Sequence, residues 1–168
     1  MLQLPNKIPS VGEVNLTAST GPWKSKSGGN LNVHFRLPLE TLMDYLTYNE
    51  KELKEIPEDI RGIRVYSVRD MPKNGIGGNE FHRIRKEIFV VINGTLECVC
   101  EDLFSNISIF KLSNGMGVRI PPFIMHTFQA LEENTGFLVM VNTLFNPDDP
   151  KTHDTYSRGV FEELKGLL

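Results

Sequence analysis

The chain has 168 residues, of which 40% are hydrophobic and 23% charged, with a formal net charge of −3. A domain of this length buries roughly 68–70% of its unfolded surface, so composition excludes a disordered tail, a collagen-like chain and a cysteine-stapled miniprotein. The mildly acidic balance carries no extended basic face, which argues against a nucleic-acid partner, and no run reaches the ~18 apolar residues of a membrane span.

The N-terminus, MLQLPNKIPSVGEV, lacks the charged-then-apolar layout of a secretory leader, so a cytoplasmic protein is expected. Residues 1–36 are polar and broken by Gly, Ser and Pro. They read as irregular, with one edge strand at 31–35 where Leu31, Val33 and Phe35 alternate with polar residues. Residues 39–55 read as one helix with Leu39, Leu42, Met43 and Leu46 as its apolar stripe, closed by Pro57. Residues 1–60 therefore form an N-terminal extension with one helix, and 61–168 form the main domain.

From Ile63 the texture turns to strands. IRVYSVRD is followed by a Pro/Gly loop, MPKNGIGGN, and the short strand EFHRI. EIFVVI and TLECVCED flank Asn93-Gly94, the strongest short-range hairpin signal, because a type I′ turn needs positive φ at both central positions. ISIFKL, GVRIPP, HTFQAL and FLVMVNTLF complete a set of short strands with no helix between them. That pattern predicts an all-β antiparallel sandwich or barrel. FLVMVNTLF, apolar on both faces, belongs in its interior. Cys98 and Cys100 share one strand face, poorly placed for a disulfide, and read as buried small apolar groups. A short C-terminal helix follows, with Ser157 as N-cap and Val160, Phe161, Leu164, Leu167 and Leu168 as its stripe.

Chemistry concentrates in Glu80, His82, Glu87 and His126. On an extended segment Glu80 and His82 share a face, a turn can return Glu87 to it, and His126 joins if its strand lies alongside. Two imidazoles and two carboxylates inside a barrel suit a divalent Zn, Mn, Fe, Ni or Co ion. They equally suit proton transfer, with a histidine as base and a carboxylate orienting it. The plainer alternative is structural histidines and solvated charges. Lys86, Arg83, Arg85 and Tyr66 are cations or hydrogen-bond donors near these groups in sequence, and Arg64 and Arg119 lie on strands expected to flank the cavity.

The spacing runs Glu80-x-His82-x4-Glu87-x6-Gly94, then Gly115-x5-Pro121-x4-His126. It resembles the two motifs of the cupins, G-x5-H-x-H-x3–4-E-x6-G and G-x5-P-x-G-x2-H-x3-N. Glu80 stands where the first His is expected, Phe123 replaces a glycine, and Ala130 replaces the terminal Asn. The resemblance covers about residues 63–145 and implies a cupin fold, that is, a double-stranded β-helix or jelly-roll barrel. RVYSVRDMPKNGIGGNEFHR with EIFVVINGTLE is similar to the dTDP-4-dehydro-6-deoxyhexose 3,4-ketoisomerases. IPPFIMHTF is similar to a stretch of the dTDP-4-dehydrorhamnose 3,5-epimerases, and FNPDDPKTHDTY to tails of capsule-sugar cupins.

The resemblance implies an isomerase or epimerase of a sugar or a nucleotide-linked 4-keto sugar, with His82 as base, Glu80 and His126 beside it, and no metal required. Arg64, Tyr66, Arg83, Lys86 and Arg119 are the corresponding substrate-binding candidates. Two alternatives stay open. One is a metal-dependent cupin, a dioxygenase or small-sugar isomerase, with Glu80, His82, Glu87 and His126 as ligands. The other is a non-catalytic carbohydrate-binding cupin. Edge-strand pairing into a homodimer is the expected assembly.

Overall fold

The computed structural model describes residues 2–34 and 36–168, with side chains for all of these but Glu55 and Lys151. In chain order the strands and helices are β1 (Asn15–Ala18), β2 (Thr20–Lys24), β3 (Asn30–Val33), α1 (Leu39–Leu46) and α2 (Glu50–Glu55). Then come β4 (Arg61–Met71), β5 (Ile76–Phe81), β6 (Glu87–Asn93), β7 (Thr95–Glu101) and β8 (Ile107–Ser113). The chain ends with β9 (Met116–Ile120), β10 (Met125–Ala130), β11 (Thr135–Thr143), β12 (Tyr156–Ser157) and α3 (Arg158–Lys165). Among the described residues no helix is long and apolar enough to cross a membrane.

Two five-stranded antiparallel sheets face each other, ordered β1-β9-β6-β11-β4 and β12-β5-β10-β7-β8. This is the jelly-roll barrel that the strand count and motif spacing predict. Strand parity explains its core. Phe89, Val91, Val118, Phe137 and Val139 point inward from the first sheet to meet Leu96, Cys98, Cys100 and Leu112 of the second. The rings of Phe89 and Phe137 lie 4.4 Å apart between centroids. Cys98 and Cys100 are free, buried thiols, as the spacing implied. The opposite face of β6, Ile88 and Val90, is covered by Leu46 and Tyr45 of α1. Outside the second sheet, Phe161 and Leu164 of α3 pack on Phe81 and Met125. Ion pairs from Arg158 and Lys165 to Glu101 tie the helix down.

Several local expectations fail for identifiable reasons. The helix over 39–55 is two helices, because the Asn49 side chain accepts the N–H groups of Lys51 and Glu52 while Glu52 caps back, starting a new helix. Leu39 and Met43 of the expected stripe are exposed. Within residues 1–36 the described part forms three strands. β1 pairs with β9 at the rim of the first sheet, and β2 and β3 form a separate hairpin. The edge strand expected over 31–35 is β3, and Phe35 lies outside the described residues. Strand EFHRI ends at Phe81, so His82 begins a turn. Asn93-Gly94 is no hairpin turn: β6 and β7 belong to different sheets, and the chain crosses between them at Gly94. Only Gly94 takes a positive φ there, and a Cβ on it would meet Thr135 Oγ1 at 2.5 Å. Ser157 occupies the N-cap of α3 without a side-chain hydrogen bond, and Leu167 and Leu168 are exposed.

Phe123 replaces the motif glycine yet keeps its left-handed backbone, at φ 57°. Left-handed backbone costs a side-chain-bearing residue roughly 1–2 kcal/mol. Burial of the ring against Phe81, at 5.9 Å between centroids, offsets it. The Phe123 N–H also donates to His82 O at 2.7 Å, joining two turns at one end of the barrel. Phe123→Ala is expected to destabilise by about 3–5 kcal/mol, keeping the strain and losing the packing. Phe123→Gly should be about 1 kcal/mol less damaging, since glycine relieves the strain. Urea midpoints of the two variants check this order.

Candidate active site

The site begins in β5. Glu80 ends its inward-facing run, and β10 places His126 directly opposite, with the ladder shifting register just after that pair. Such a shift re-aims a side chain. His82 opens the turn that leads to Glu87, the first residue of β6. Lys86 N–H donates to Asn142 Oδ1 at 2.8 Å, anchoring the turn to β11.

The four side chains converge. His82 Nε2 lies 3.4 Å from Glu87 Oε1 and 3.8 Å from Glu80 Oε1, and His126 Nε2 lies 3.3 Å from Glu87 Oε2. The two imidazole centroids are 5.3 Å apart. Both rings and Glu87 are buried, while the Glu80 side chain is 35% exposed at the mouth. Arg85, also buried, sets Nη1 3.4 Å from His82 Nε2 and 3.8 Å from Glu87 Oε1, and its Nε donates to Thr143 Oγ1 at 3.2 Å.

Hydrogen bonding fixes the tautomers. His82 Nδ1 faces the carbonyl of Asp154, and His126 Nδ1 faces the carbonyl of Ile124 at 3.0 Å. A carbonyl only accepts, so Nδ1 carries the proton in both rings. Each Nε2 therefore turns toward Glu87. A proton taken up at His82 Nε2 would form an imidazolium beside a carboxylate, which is how a general base is stabilised. Burial alone would raise Glu87, but Arg85 together with His82 and His126 in their protonated forms, which prevail in acid, lowers its carboxyl to about 2. Burial lowers His126, against the opposing pull of Glu87, which keeps the ring neutral at pH 7.

Arg64 and Tyr66 share this cavity. Their register partners, Val141 and Val139, are also the partners of Glu87 and Phe89, so all face inward. The Arg64 guanidinium lies 4.9 Å from the Tyr66 ring centre. Burial, with Glu87 adding to it, pushes the Tyr66 hydroxyl up to about 12, so it stays a hydrogen-bond donor. Arg119 does not join them. It pairs with Ile88, on the outward face of β6, and lies over Tyr45 of α1 at 5.6 Å. Lys86 reaches outward too, its ammonium donating to Thr47 O at 2.9 Å. Arg83 lines an outer cleft with Tyr48, Glu52 and Phe123. Asn142, Thr143 and Asp154, which complete the site, carry no spacing signal in the motifs.

A family model described as "FdtA: WxcM-like, C-terminal" matches residues 34–159. No curated protein matches. Among solved structures, QdtA, a sugar 3,4-ketoisomerase from Thermoanaerobacterium thermosaccharolyticum in complex with TDP, superposes with a TM-score of 0.61 at 18% identity. The alignment covers 95% of this chain and 99% of that one. A 3,4-ketoisomerase from Helicobacter canadensis gives 0.61 at 16% identity over 92% and 98%. WlaRA, a TDP-fucose-3,4-ketoisomerase from Campylobacter jejuni, gives 0.60 at 20% identity over 92% and 97%. These likenesses are likenesses of fold.

Because Glu87 ionises more readily when folded, its contribution to stability is present above pH 4.5 and is lost as pH falls toward about 2. That contribution is on the order of 3 kcal/mol. The stability gap between the parent and Glu87→Gln should therefore narrow between pH 4.5 and about 2, as urea unfolding at several pH values reads directly.

Proposed function

The chain belongs to the FdtA family (WxcM-like, C-terminal), and on that premise we propose that it is a sugar-nucleotide isomerase. Its substrate is a 4-keto sugar carried on a nucleoside diphosphate, and its reaction moves the carbonyl to the neighbouring ring carbon. The single observation that carries this reading is the buried pair of histidines, both presenting Nε2 to one carboxylate with a guanidinium beside it. His82 Nε2 takes the proton from the carbon next to the ketone. The C–H electron pair forms the carbon–carbon double bond of an enediolate, and the carbonyl electrons move to oxygen. Arg85 and Tyr66 are the donors that face that oxygen, and Glu87 balances the imidazolium. Return of the proton to the former carbonyl carbon, with transfer of the neighbouring hydroxyl proton to the former carbonyl oxygen, leaves a hydroxyl there and the ketone at the adjacent position. Arg64, on the same wall, suits the diphosphate.

QdtA has been solved in complex with TDP-4-keto-6-deoxyglucose, which makes that compound the first to try. Incubated with it in deuterium oxide, the protein should form the 3-keto isomer, with ring deuteration seen by NMR. His82→Asn should lower turnover by about 10²-fold or more. Absence of both isomerisation and exchange with TDP-, UDP- and GDP-linked 4-keto sugars would overturn the proposal.

A second reading has its own observation. Glu80, His82 and His126 offer ligand atoms all within 4.8 Å of one another, a donor set that fits a divalent transition metal. Such an ion would polarise a substrate carbonyl. Arg85 favours the first reading, because its guanidinium lies against the same His82 nitrogen a metal would need. Protein purified without a chelating tag should hold less than about a tenth of an equivalent of Zn, Mn, Fe, Ni or Co, and its turnover should survive EDTA. A stoichiometric metal whose removal abolishes turnover would reverse the ranking.

A further inference from the structure

We infer that Asp154 is a positioning residue for His82, setting which ring nitrogen carries the proton; the effect on turnover rests on the isomerase reading, the effect on the ring does not. The turn between β5 and β6 directs the consecutive N–H groups of Arg83, Ile84 and Arg85 to one spot. Successive amides gathered in this way form an anion-binding concavity. The Asp154 carboxylate fills it: Oδ1 accepts from Arg83 at 3.0 Å, and Oδ2 from Ile84 at 2.8 Å and Arg85 at 2.7 Å. The residue is 4% exposed. Its own backbone carbonyl accepts the His82 Nδ1 proton.

One residue thus makes two kinds of contact with one turn. The side chain binds the turn, and the main chain selects the tautomer. The two are linked because the segment after β11 that brings the carbonyl is held against the turn by the carboxylate. Without the carboxylate, three amides lose their acceptor, and nothing in the contact holds the carbonyl in line with the ring. His82 can then carry its proton on Nε2, the nitrogen that faces Glu87 and Glu80, and in that form it has no lone pair to offer inside the cavity. Arg85, which leaves the same turn, loses its placement as well. A bare turn brace would do only part of this, stabilising the fold without governing the ring.

The experiment is ¹⁵N NMR of histidine-labelled protein at about pH 8, where a free imidazole is neutral. His82 is assigned by its loss in His82→Asn. The parent should show His82 as a single Nδ1-protonated tautomer. Asp154→Ala should show both tautomers, with kcat lowered on the order of 10–10²-fold and KM little changed. Where Asp154→Ala does not fold, Asp154→Asn takes its place, since it keeps the shape and loses the charge. A deciding variant that keeps the single Nδ1-protonated form, whatever its activity, overturns the inference, as does a parent whose His82 is protonated on Nε2. The ring readout needs no substrate, so a parent that isomerises nothing would sink the isomerase reading while the tautomer comparison still decides the role of Asp154.

Discussion

A buried carboxylate is the constraint around which this molecule is arranged. Burying an unpaired charge costs several kcal/mol even after the protein relaxes. Glu87 is tolerated because the Arg85 guanidinium lies beside it and each imidazole becomes an adjacent cation once its Nε2 is protonated. None of these partners is near Glu87 by chain continuity alone except Arg85. His126 arrives on β10 from the other sheet, and His82 arrives through a turn. The compensation exists only when both sheets close, so the polar cluster and the barrel depend on each other. Removing one member leaves the others as uncompensated buried groups, which is why such clusters are brittle to substitution.

The apolar core supplies the rigidity that this arrangement needs. Phe89 and Phe137 pack with tilted rings two and four residues along from inward-facing Glu87 and Val141, so the polar cluster sits on a packed floor. The mouth is built differently. There the chain uses turns held by side chains and single backbone contacts: Asn142 to Lys86, Thr143 to Arg85, and Phe123 to His82. Packing fixes the strands to within a fraction of an ångström, and the hydrogen bonds of the mouth then decide which way the reactive nitrogen points. The chemistry lies at the junction of the two.

Much of this was legible in the sequence, and the parts that were not share a cause. Glu80, His82, Glu87 and His126 were found because two separate spacings agreed in order. Arg119 was misplaced by one step of strand parity: Val118 and Ile120 face the core, so the residue between them must face α1. Nothing in GVRIPP fixes that parity without knowing the register. Asn93-Gly94 carried a real turn signal, but a local turn does not say whether the next strand returns to the same sheet. β1 was missed because its sequence is polar and exposed, and only its pairing with β9 makes it a strand. The split between α1 and α2 was visible in Asn49-x-x-Glu52, a capping box inside what read as one helix.

The departures from the cupin motifs take on meaning through charge and conformation. Placing Glu80 where a neutral histidine is expected adds one negative charge at the mouth. Arg85, at a position the motif leaves free, and Arg64 on the facing strand add two positive charges beside Glu80 and Glu87. The guanidinium of Arg64 lies over the rings of Tyr66 and Phe145, 4.9 and 5.2 Å from their centres. Phe123 follows the same logic in conformation rather than charge. Position 123 is left-handed here, and the chain occupies it with a buried ring that also closes the barrel end. The substituted letters leave the spacing intact, which is why it was informative even where the letters differed.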